Sequence, residues 1–200
     1  MYPFINSKID NNKPILIIGN SPSVKNIELG KYINSSNFNI IRFNLAKIEG
    51  YEKYVGSDTT YWVVNGKYWN TNKNKIDNKN RILIAELPHT KHFHTLCNDY
   101  NHNFKSIQII PNHCRKYLRN YPTSGMLAIA FFLEHYPHIY IHGFTFDHRH
   151  YFELNNKGAN HHSYSNEKKV VNKLINLGRI IMLDQDMCLK NGFACNNNVN

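Results

Sequence analysis

The sequence contains no long apolar run, and this absence excludes a membrane-spanning helix. No window approaches the roughly 18 consecutive apolar residues that such a helix requires. The N-terminus also lacks a charged segment followed by an apolar one, the pattern of a secretory signal. We therefore expect a soluble, cytoplasmic chain with no transmembrane segment.

Cysteine is scarce and scattered. The four cysteines are Cys97, Cys114, Cys188 and Cys195, and they form no CxxC pair. Disulfide frameworks and zinc sites in chains of this kind depend on paired or closely spaced cysteines. We therefore interpret these residues as free thiols in a reducing compartment.

Acidic residues are few as well, because 14 Asp and Glu stand against 24 Lys and Arg, for a formal net charge of +10. Such a charge favours anionic partners, among them nucleotides, acidic sugars, nucleic acids and membrane surfaces. The basic residues are dispersed, however, with only short pairs such as Lys168-Lys169. With no basic stripe, zinc-finger spacing or aromatic RNA-binding signature, we expect no nucleic-acid partner.

A metal site is not expected either, although several histidines lie close together between residues 86 and 106. Histidine is a common metal ligand, but this segment has no convincing acidic or cysteine partner and its spacing matches no metal template. A surface loop or a short helix explains it better. The histidines are His89, His92, His94 and His102.

What the sequence does contain is the pattern of an α/β protein. Short apolar runs predict buried strands, and longer apolar or amphipathic segments predict helices at 124–134 and 166–177. Strands that alternate with helices predict a single Rossmann-like domain with a mainly parallel, helix-flanked sheet. We assign residues 1–200 to this domain, with an ordered core at about 13–185 and an Asn-rich C-terminal tail. The predicted strands are 14–18, 39–44, 59–65, 81–85, 106–110, 139–142 and 179–183.

Polar residues lie at or just after the carboxyl ends of the first three predicted strands. Gly19 lets the backbone turn sharply after the first strand, and we expect Arg42 to face the same crevice from the end of the second. Phosphorylated ligands bind at this edge of a parallel sheet, although a plain turn with a capping side chain is the alternative for each loop. The candidate ligand-binding residues here are Asn20, Ser21, Ser23, Asn44 and Asn65.

A second group of polar and aromatic residues lies between residues 120 and 167. Residues at the start of the predicted helix can bring backbone and hydroxyl donors to a phosphate, or can simply cap the helix. The density of groups that bind phosphate or transfer protons suggests an enzyme active site. The candidates are Tyr121, Thr123, Ser124, Gly125, Gly143, Phe144, His150, Tyr151, His162 and Glu167.

Together these segments resemble the sialyltransferases of glycosyltransferase family 29. That family has a large, a small, a third and a very small motif, in that order along the chain. The resemblance spans roughly residues 15–177. The matching segments are 17–21, 42–44 and 50–60 for the large motif, 121–127 and 141–144 for the small motif, 150–153 for the third, and His162 with Glu167 for the His-x4-Glu of the very small motif.

The chain also departs from the animal members of that family, which carry an N-terminal membrane anchor and a disulfide. Ile15 and Glu134 lie near the positions of the two bridging cysteines, so that bridge is absent here. The chain is shorter than the usual catalytic domain, which fits a compact bacterial or virus-encoded form. The loop at 19–23 and the Thr-Ser-Gly segment also resemble the bacterial family 42 sialyltransferases, a more distant similarity.

The resemblance implies a glycosyltransferase of the GT-A-variant sialyltransferase type. Such an enzyme transfers sialic acid from CMP-sialic acid to a hydroxyl of an acceptor glycan, here expected to be galactose-terminated, with inversion at the anomeric carbon. No Asp-x-Asp element stands at a strand end, so we expect no cofactor and no divalent metal. Two alternatives stay open: a donor with another CMP-linked acidic sugar, such as a Kdo-like one, and a non-catalytic module that binds a nucleotide or a glycan.

The resemblance also implies roles for the candidate residues. His162 is the candidate general base, because a histidine with an unperturbed pKa of about 6.5 accepts a proton near neutral pH; a solvated His161-His162 loop pair is the alternative. Glu167 either orients the site or is an ordinary first-turn acid. The expected donors to the departing phosphate are His150, Tyr151 and Tyr121. The expected nucleotide contacts are Asn20, Ser23, Asn44, Thr123, Ser124, Gly125, Gly143 and Phe144.

Overall fold

The computed structural model describes most of the predicted core but not the whole chain. Tyr121, the four histidines between residues 86 and 106, and the Asn-rich tail lie outside the described residues, as does most of the predicted connection at 66–80. The assignment of the chain to one domain stays a prediction. The described residues are 12–65, 68, 81–84, 106–110, 122–146, 149–152 and 162–183.

The described strands form one seven-stranded sheet in which every adjacent pair is parallel. The order across the sheet is β5-β4-β3-β2-β1-β6-β7. All seven predicted strands are present, shortened by at most two residues at an end, which confirms the α/β fold with its mainly parallel sheet. The strands are β1 (Ile15–Ile18), β2 (Asn39–Phe43), β3 (Tyr61–Val64), β4 (Arg81–Ile84), β5 (Ser106–Ile109), β6 (Ile139–His142) and β7 (Ile180–Met182).

Both predicted helices are present, and the described residues contain three further short ones that were not predicted. Elements of four to six residues are too short to show a helical repeat in the sequence, which explains why they were missed. The helices are a 3₁₀ turn (Pro22–Asn26), α1 (Gly30–Ser35), α2 (Glu52–Val55), α3 (Ser124–His135) and α4 (Tyr164–Asn176).

Two apolar layers cover the two faces of the sheet. Because successive side chains of a strand point to opposite faces, Ile15 and Ile17 of β1 pack in the layer that contains α3 and α4. Leu16 and Ile18 pack in the opposite layer, with residues of α1 and α2. All four side chains of β1 are buried, which is why this strand is a continuous apolar run.

The strand order reverses between β1 and β6, because β2 to β5 follow on one side of β1 and β6 and β7 lie on the other. Ligands of open α/β sheets bind in the crevice beyond the carboxyl ends of the strands at such a switch point. The helices α3 and α4 precede β6 and β7 and run back along the sheet, so their N-terminal ends lie at the same edge. The fold therefore brings the two groups of candidate residues to one place.

Among the described helices, none is both long enough and apolar enough to cross a membrane. The predicted cytoplasmic location stays a prediction.

Candidate active site at the carboxyl edge of the sheet

The loop after β1 lies directly against the end of β6. The Gly19 N–H donates to the His142 carbonyl at 2.8 Å, and the Ser21 N–H donates to the Gly143 carbonyl at 3.1 Å. A Cβ atom on Gly19 would lie 2.2 Å from the Gly143 carbonyl oxygen. Only glycine allows this approach. Gly19, which the sequence indicates as the residue of a sharp turn, therefore also allows the two loops to pack closely.

Three hydroxyl groups meet where these two loops run side by side. Ser21 caps the 3₁₀ turn, because its Oγ accepts the Ser23 N–H at 3.2 Å. The same Oγ lies 2.6 Å from Thr145 Oγ1 and 3.1 Å from Ser23 Oγ. Thr145 was missed in the sequence, where its position two residues after Gly143 was the only signal. The cluster places hydroxyl donors on both sides of the switch point.

Asn20 extends from β1 toward β2. Its Nδ2 lies 3.4 Å from the Phe43 carbonyl, which it faces as a donor. Its Oδ1 is buried and has no hydrogen-bond partner within the described parts of the chain. A buried acceptor without a partner is costly in a folded protein, which makes this oxygen a candidate to receive a ligand hydroxyl.

Asn44 connects three elements at the end of β2. Its backbone is left-handed, with φ 42°, a conformation that asparagine tolerates better than most residues. Its Oδ1 accepts the Asn65 N–H at 3.1 Å, and its Nδ2 lies 3.5 Å from Ser124 Oγ. The structure thus brings together three residues that the sequence placed on separate strands and on a helix.

The first turn of α3 offers unpaired backbone donors. Thr123 caps the helix: its Oγ1 accepts the Met126 N–H at 3.2 Å and its carbonyl accepts the Leu127 N–H at 3.0 Å. The N–H groups of Ser124 and Gly125 have no partner among the described residues, and both residues are half-buried. A helix start with unpaired N–H groups attracts anions such as phosphate.

Phe144 lies between the two glycine-containing segments. A Cβ atom on Gly19 would be 2.9 Å from its ring, and one on Gly125 would also be 2.9 Å from it. The ring meets Phe43 edge to face, with centroids 6.3 Å apart. The half-buried ring gives the crevice an apolar surface beside the unpaired N–H groups of α3.

Glu167 attaches the first turn of α4 to the first turn of α3. Its Oε1 accepts the Thr123 N–H at 2.7 Å and its Oε2 accepts the Thr123 hydroxyl at 2.8 Å. Burial raises the pKa of this carboxyl, and the two hydrogen bonds from Thr123 partly offset that rise. Glu167 is thus not an ordinary solvent-exposed first-turn acid.

Tyr151 holds the turn at 149–152 against the loops that follow β1 and β2. Its N–H donates to the Asn20 carbonyl at 2.9 Å and its hydroxyl donates to the Lys47 carbonyl at 2.5 Å. Burial raises the pKa of the phenol to about 12. In this arrangement the hydroxyl is used inside the fold, so the structure lends no support to the predicted phosphate donation by Tyr151.

The two histidines stand at the same edge of the sheet. His150 precedes Tyr151, which places it next to Asn20, and its ring stacks on Phe152 with centroids 5.3 Å apart. His162 lies two residues before α4 and five before Glu167, and its ring meets the Tyr164 ring with centroids 5.7 Å apart. Their predicted roles stay predictions.

Arg42 does not face the crevice, and that prediction was wrong. Its side chain is fully buried on the other face of β2, where its guanidinium donates to the carbonyls of Val55 and Gly56 at 2.7 and 3.0 Å. Burial lowers its pKa to about 10. Arg42 alternates with Ile41 and Phe43 along an extended strand, so it has to point away from the layer that contains α3. Its role is to fix the segment after α2.

Within the described part of the chain, no three His, Cys, Asp or Glu side chains lie together as a metal site would require. The predicted absence of a metal stays a prediction.

Taken together, the fold and the site define an α/β protein with a polar crevice at the carboxyl edge of a parallel sheet. Solved structures of the same fold include a mammalian sialyltransferase, with a TM-score of 0.67 at 21% identity over 86% of this chain and 68% of that one. Another is the monofunctional α-2,3-sialyltransferase Cst-I from Campylobacter jejuni, with a TM-score of 0.55 at 20% identity over 96% of this chain and 87% of that one. At such identities the likeness establishes the fold alone.

The N-terminal half of the sequence matches a family model. Residues 10–104 match glycosyltransferase family 29 (sialyltransferase). No curated protein matches the chain. The match covers just under half of the chain, and the predicted resemblance to this family is confirmed.

Proposed function

We propose that the protein transfers sialic acid from CMP-sialic acid to a hydroxyl group of an acceptor glycan, with inversion at the anomeric carbon. The observation that carries this proposal is the crevice between β1 and β6, where the Phe144 ring lies between the loop at 19–23 and the unpaired N–H groups of Ser124 and Gly125. A single phosphate linked to a nucleoside fits the chemistry of such a site.

The nucleotide would be bound from both sides of the switch point. The phosphate would lie at the start of α3, where the helix dipole and the free N–H groups favour negative charge. Phe144 offers an apolar surface for the cytosine and ribose, beside Gly143. The unpartnered Oδ1 of Asn20 is suited to a ribose hydroxyl, and the Ser23 and Thr145 hydroxyls line the other side of the crevice.

The transfer itself needs a base for the acceptor hydroxyl and donors for the phosphate that leaves. In our proposal His162 is the base that accepts the proton of the acceptor hydroxyl. His150 donates to the departing phosphate, because donors aimed at developing charge stabilise the transition state most. Tyr121, which lies outside the described residues, is a further proposed phosphate donor. We propose that no divalent metal takes part, since CMP has one phosphate and protein donors can hold it.

The acceptor is proposed to be a galactose-terminated glycan. One mammalian sialyltransferase of the same fold was solved with Gal-beta-1-3GalNAc-ortho-nitrophenol, with a TM-score of 0.64 at 21% identity over 86% of this chain and 69% of that one. The same disaccharide, as its nitrophenyl glycoside, is a suitable first acceptor to test.

A transfer assay in EDTA tests the proposal. The wild type is expected to release CMP from CMP-sialic acid only slowly without acceptor and faster with it, and to form a sialylated product. We expect His162→Ala to lower kcat by about 10²–10⁴-fold, the usual contribution of a general base. His135→Ala, which removes an exposed histidine at the end of α3, is the matched control and should keep full activity.

Three outcomes would contradict parts of this proposal. Unchanged activity in His162→Ala removes His162 as the base. Transfer from a Kdo-like CMP-sugar, and not from CMP-sialic acid, changes the donor. Binding of CMP without transfer or donor hydrolysis indicates a non-catalytic binding module.

A further inference from the structure

We propose that Glu167 is a positioning residue: through Thr123 it fixes the phosphate-binding start of α3 relative to the candidate base His162. The effect on catalysis that we infer rests on the proposed function. The effect on structure concerns only the hydrogen bonds between Thr123 and Glu167, which we call the α3–α4 attachment.

The α3–α4 attachment is a buried carboxylate with two donors from one residue. Glu167 is 6% exposed, and its two oxygens accept the backbone N–H and the hydroxyl of Thr123 at 2.7 and 2.8 Å. Burial of a carboxylate is unfavourable unless it is hydrogen-bonded, and hydrogen bonds to an ionised group are the stronger kind. On the same helix, Ser165, Lys168 and Lys169 are exposed, so the burial of Glu167 is specific to its position.

Thr123 has no donor left for a ligand. Its Oγ1 accepts the Met126 N–H, and its single hydroxyl proton goes to Glu167 Oε2. Its backbone N–H is also used, by Glu167 Oε1. Thr123 therefore supports the phosphate site without touching the phosphate, and the donors that α3 offers are the N–H groups of Ser124 and Gly125.

The other end of the attachment carries His162. The N–H groups of Asn166 and Glu167 both donate to the Ser163 carbonyl, at 3.0 Å each, so the start of α4 is a closed helical turn. His162 precedes that turn directly. Its position relative to α3 therefore depends on where Glu167 is held. A misplacement of about 1 Å at a reacting group can lower the rate about 10²-fold.

The test compares CMP affinity, measured by calorimetry, with kcat for transfer in variants of both residues. Glu167→Met keeps the volume of the side chain but removes both acceptors. Glu167→Gln keeps an acceptor for the Thr123 N–H, and its amide can donate to the Thr123 hydroxyl. Thr123→Ser keeps both donors, and Thr123→Val removes the hydroxyl. Glu134→Gln, on the exposed end of α3, is the control for loss of an acid.

We expect Glu167→Met to weaken CMP binding about tenfold and to lower kcat about 10²-fold, because both sides of the site shift. Glu167→Gln, Thr123→Ser and the control should stay within about threefold of the wild type. Thr123→Val added to Glu167→Met should cause little further loss, since residues that act as a unit are not additive.

Several results would overturn the inference. One is a Glu167→Met variant whose kcat and CMP affinity equal those of the wild type. Another is a loss of kcat and CMP affinity that is equally large in Glu167→Gln and Glu167→Met, because it would assign the effect to the charge. Thr123→Val with weakened CMP binding but unchanged kcat would make Thr123 a direct phosphate ligand. If Glu167→Met does not fold, Thr123→Val decides alone, and its kcat must fall.

Failure of the proposed function can be told apart from failure of this inference. If the wild type binds CMP but transfers no sialic acid, the proposed function fails. The same variants then still test the attachment through CMP affinity, and equal affinity in the wild type and Glu167→Met overturns it.

Discussion

At the scale of the single residue, the site depends on how closely two loops approach. The Gly19→Ala variant adds a Cβ atom 2.2 Å from the Gly143 carbonyl oxygen, and backbone cannot move aside cheaply. We expect it to destabilise the fold by about 1–3 kcal/mol, as overpacking does, and to weaken CMP binding as β1 and β6 separate. Urea unfolding and calorimetry measure the two effects.

Gly50→Ala is the matched control for this substitution. Gly50, unlike Gly19, has a left-handed backbone, with φ +80°, and a Cβ atom there meets nothing within 4 Å. Its cost should be about 1–2 kcal/mol from backbone strain alone, with CMP affinity unchanged. Equal CMP affinity in Gly19→Ala and the wild type would show that the close approach does not shape the site.

At the scale of the element, the turn at 149–152 is held by one tyrosine. Tyr151→Phe leaves the Lys47 carbonyl without its donor, which should cost about 1–3 kcal/mol of stability. Because His150 precedes Tyr151, we expect a fall in kcat of about tenfold as well, an effect that should vanish in a His150→Ala background. Thermal unfolding and transfer kinetics are the measurements.

Tyr54→Phe, at a half-buried tyrosine outside this turn, controls for the loss of a phenol hydroxyl and should change neither property. The prediction is contradicted if Tyr151→Phe unfolds like the wild type yet binds CMP more weakly. That result would support the role as phosphate donor that the resemblance implies.

The elements also show where sequence reasoning succeeds and where it stops. The strands were predictable because β-branched apolar runs such as residues 15–18 stand out between polar loops, and α3 because its apolar stretch is long. The direction of Arg42 was not predictable, because an arginine at the carboxyl end of a strand is expected to face the polar crevice there. Only the structure reveals the carbonyl groups of residues 55–58 that hold it.

The same limit applies to the site. Type and position in the chain indicated Thr123 and Glu167 as candidates but could not show that they bind each other, since hydrogen bonds between residues 44 positions apart depend on how helices pack. Thr145 was missed for the same reason. A threonine in a loop gives no signal until its hydroxyl is placed beside Ser21.

At the scale of the whole molecule, a buried histidine should make stability depend on pH. Burial lowers the pKa of His142 to about 4, from an ordinary value of 6.5. The unfolded chain therefore binds a proton near pH 6.5 that the folded chain refuses until about pH 4, so stability is lost as pH falls through this window. By linkage, roughly 2 kcal/mol should be lost between pH 7 and pH 5.

Urea unfolding at the two pH values checks this prediction against His142→Met, which removes the titrating group but keeps an apolar side chain of similar size. The free energy of unfolding of the wild type should fall relative to that of the variant as the pH falls from 7 to 5. The pKa of Glu167 is raised, so its contribution to stability changes with pH in the opposite direction. This contribution is the same in the wild type and the variant, and it cancels when their stabilities are compared. A difference that stays constant with pH contradicts the assignment.

The parallel pairing of β1 with β6 has a consequence for the order of events during synthesis. Ile17 pairs with Ile141, so the two walls of the crevice come from opposite ends of the described chain. A ribosome must translate the whole segment between these two residues before the second wall exists, and closing so long a loop is slow compared with forming local structure. Until then β1 is an uncovered apolar edge, and the nascent chain has no complete nucleotide site.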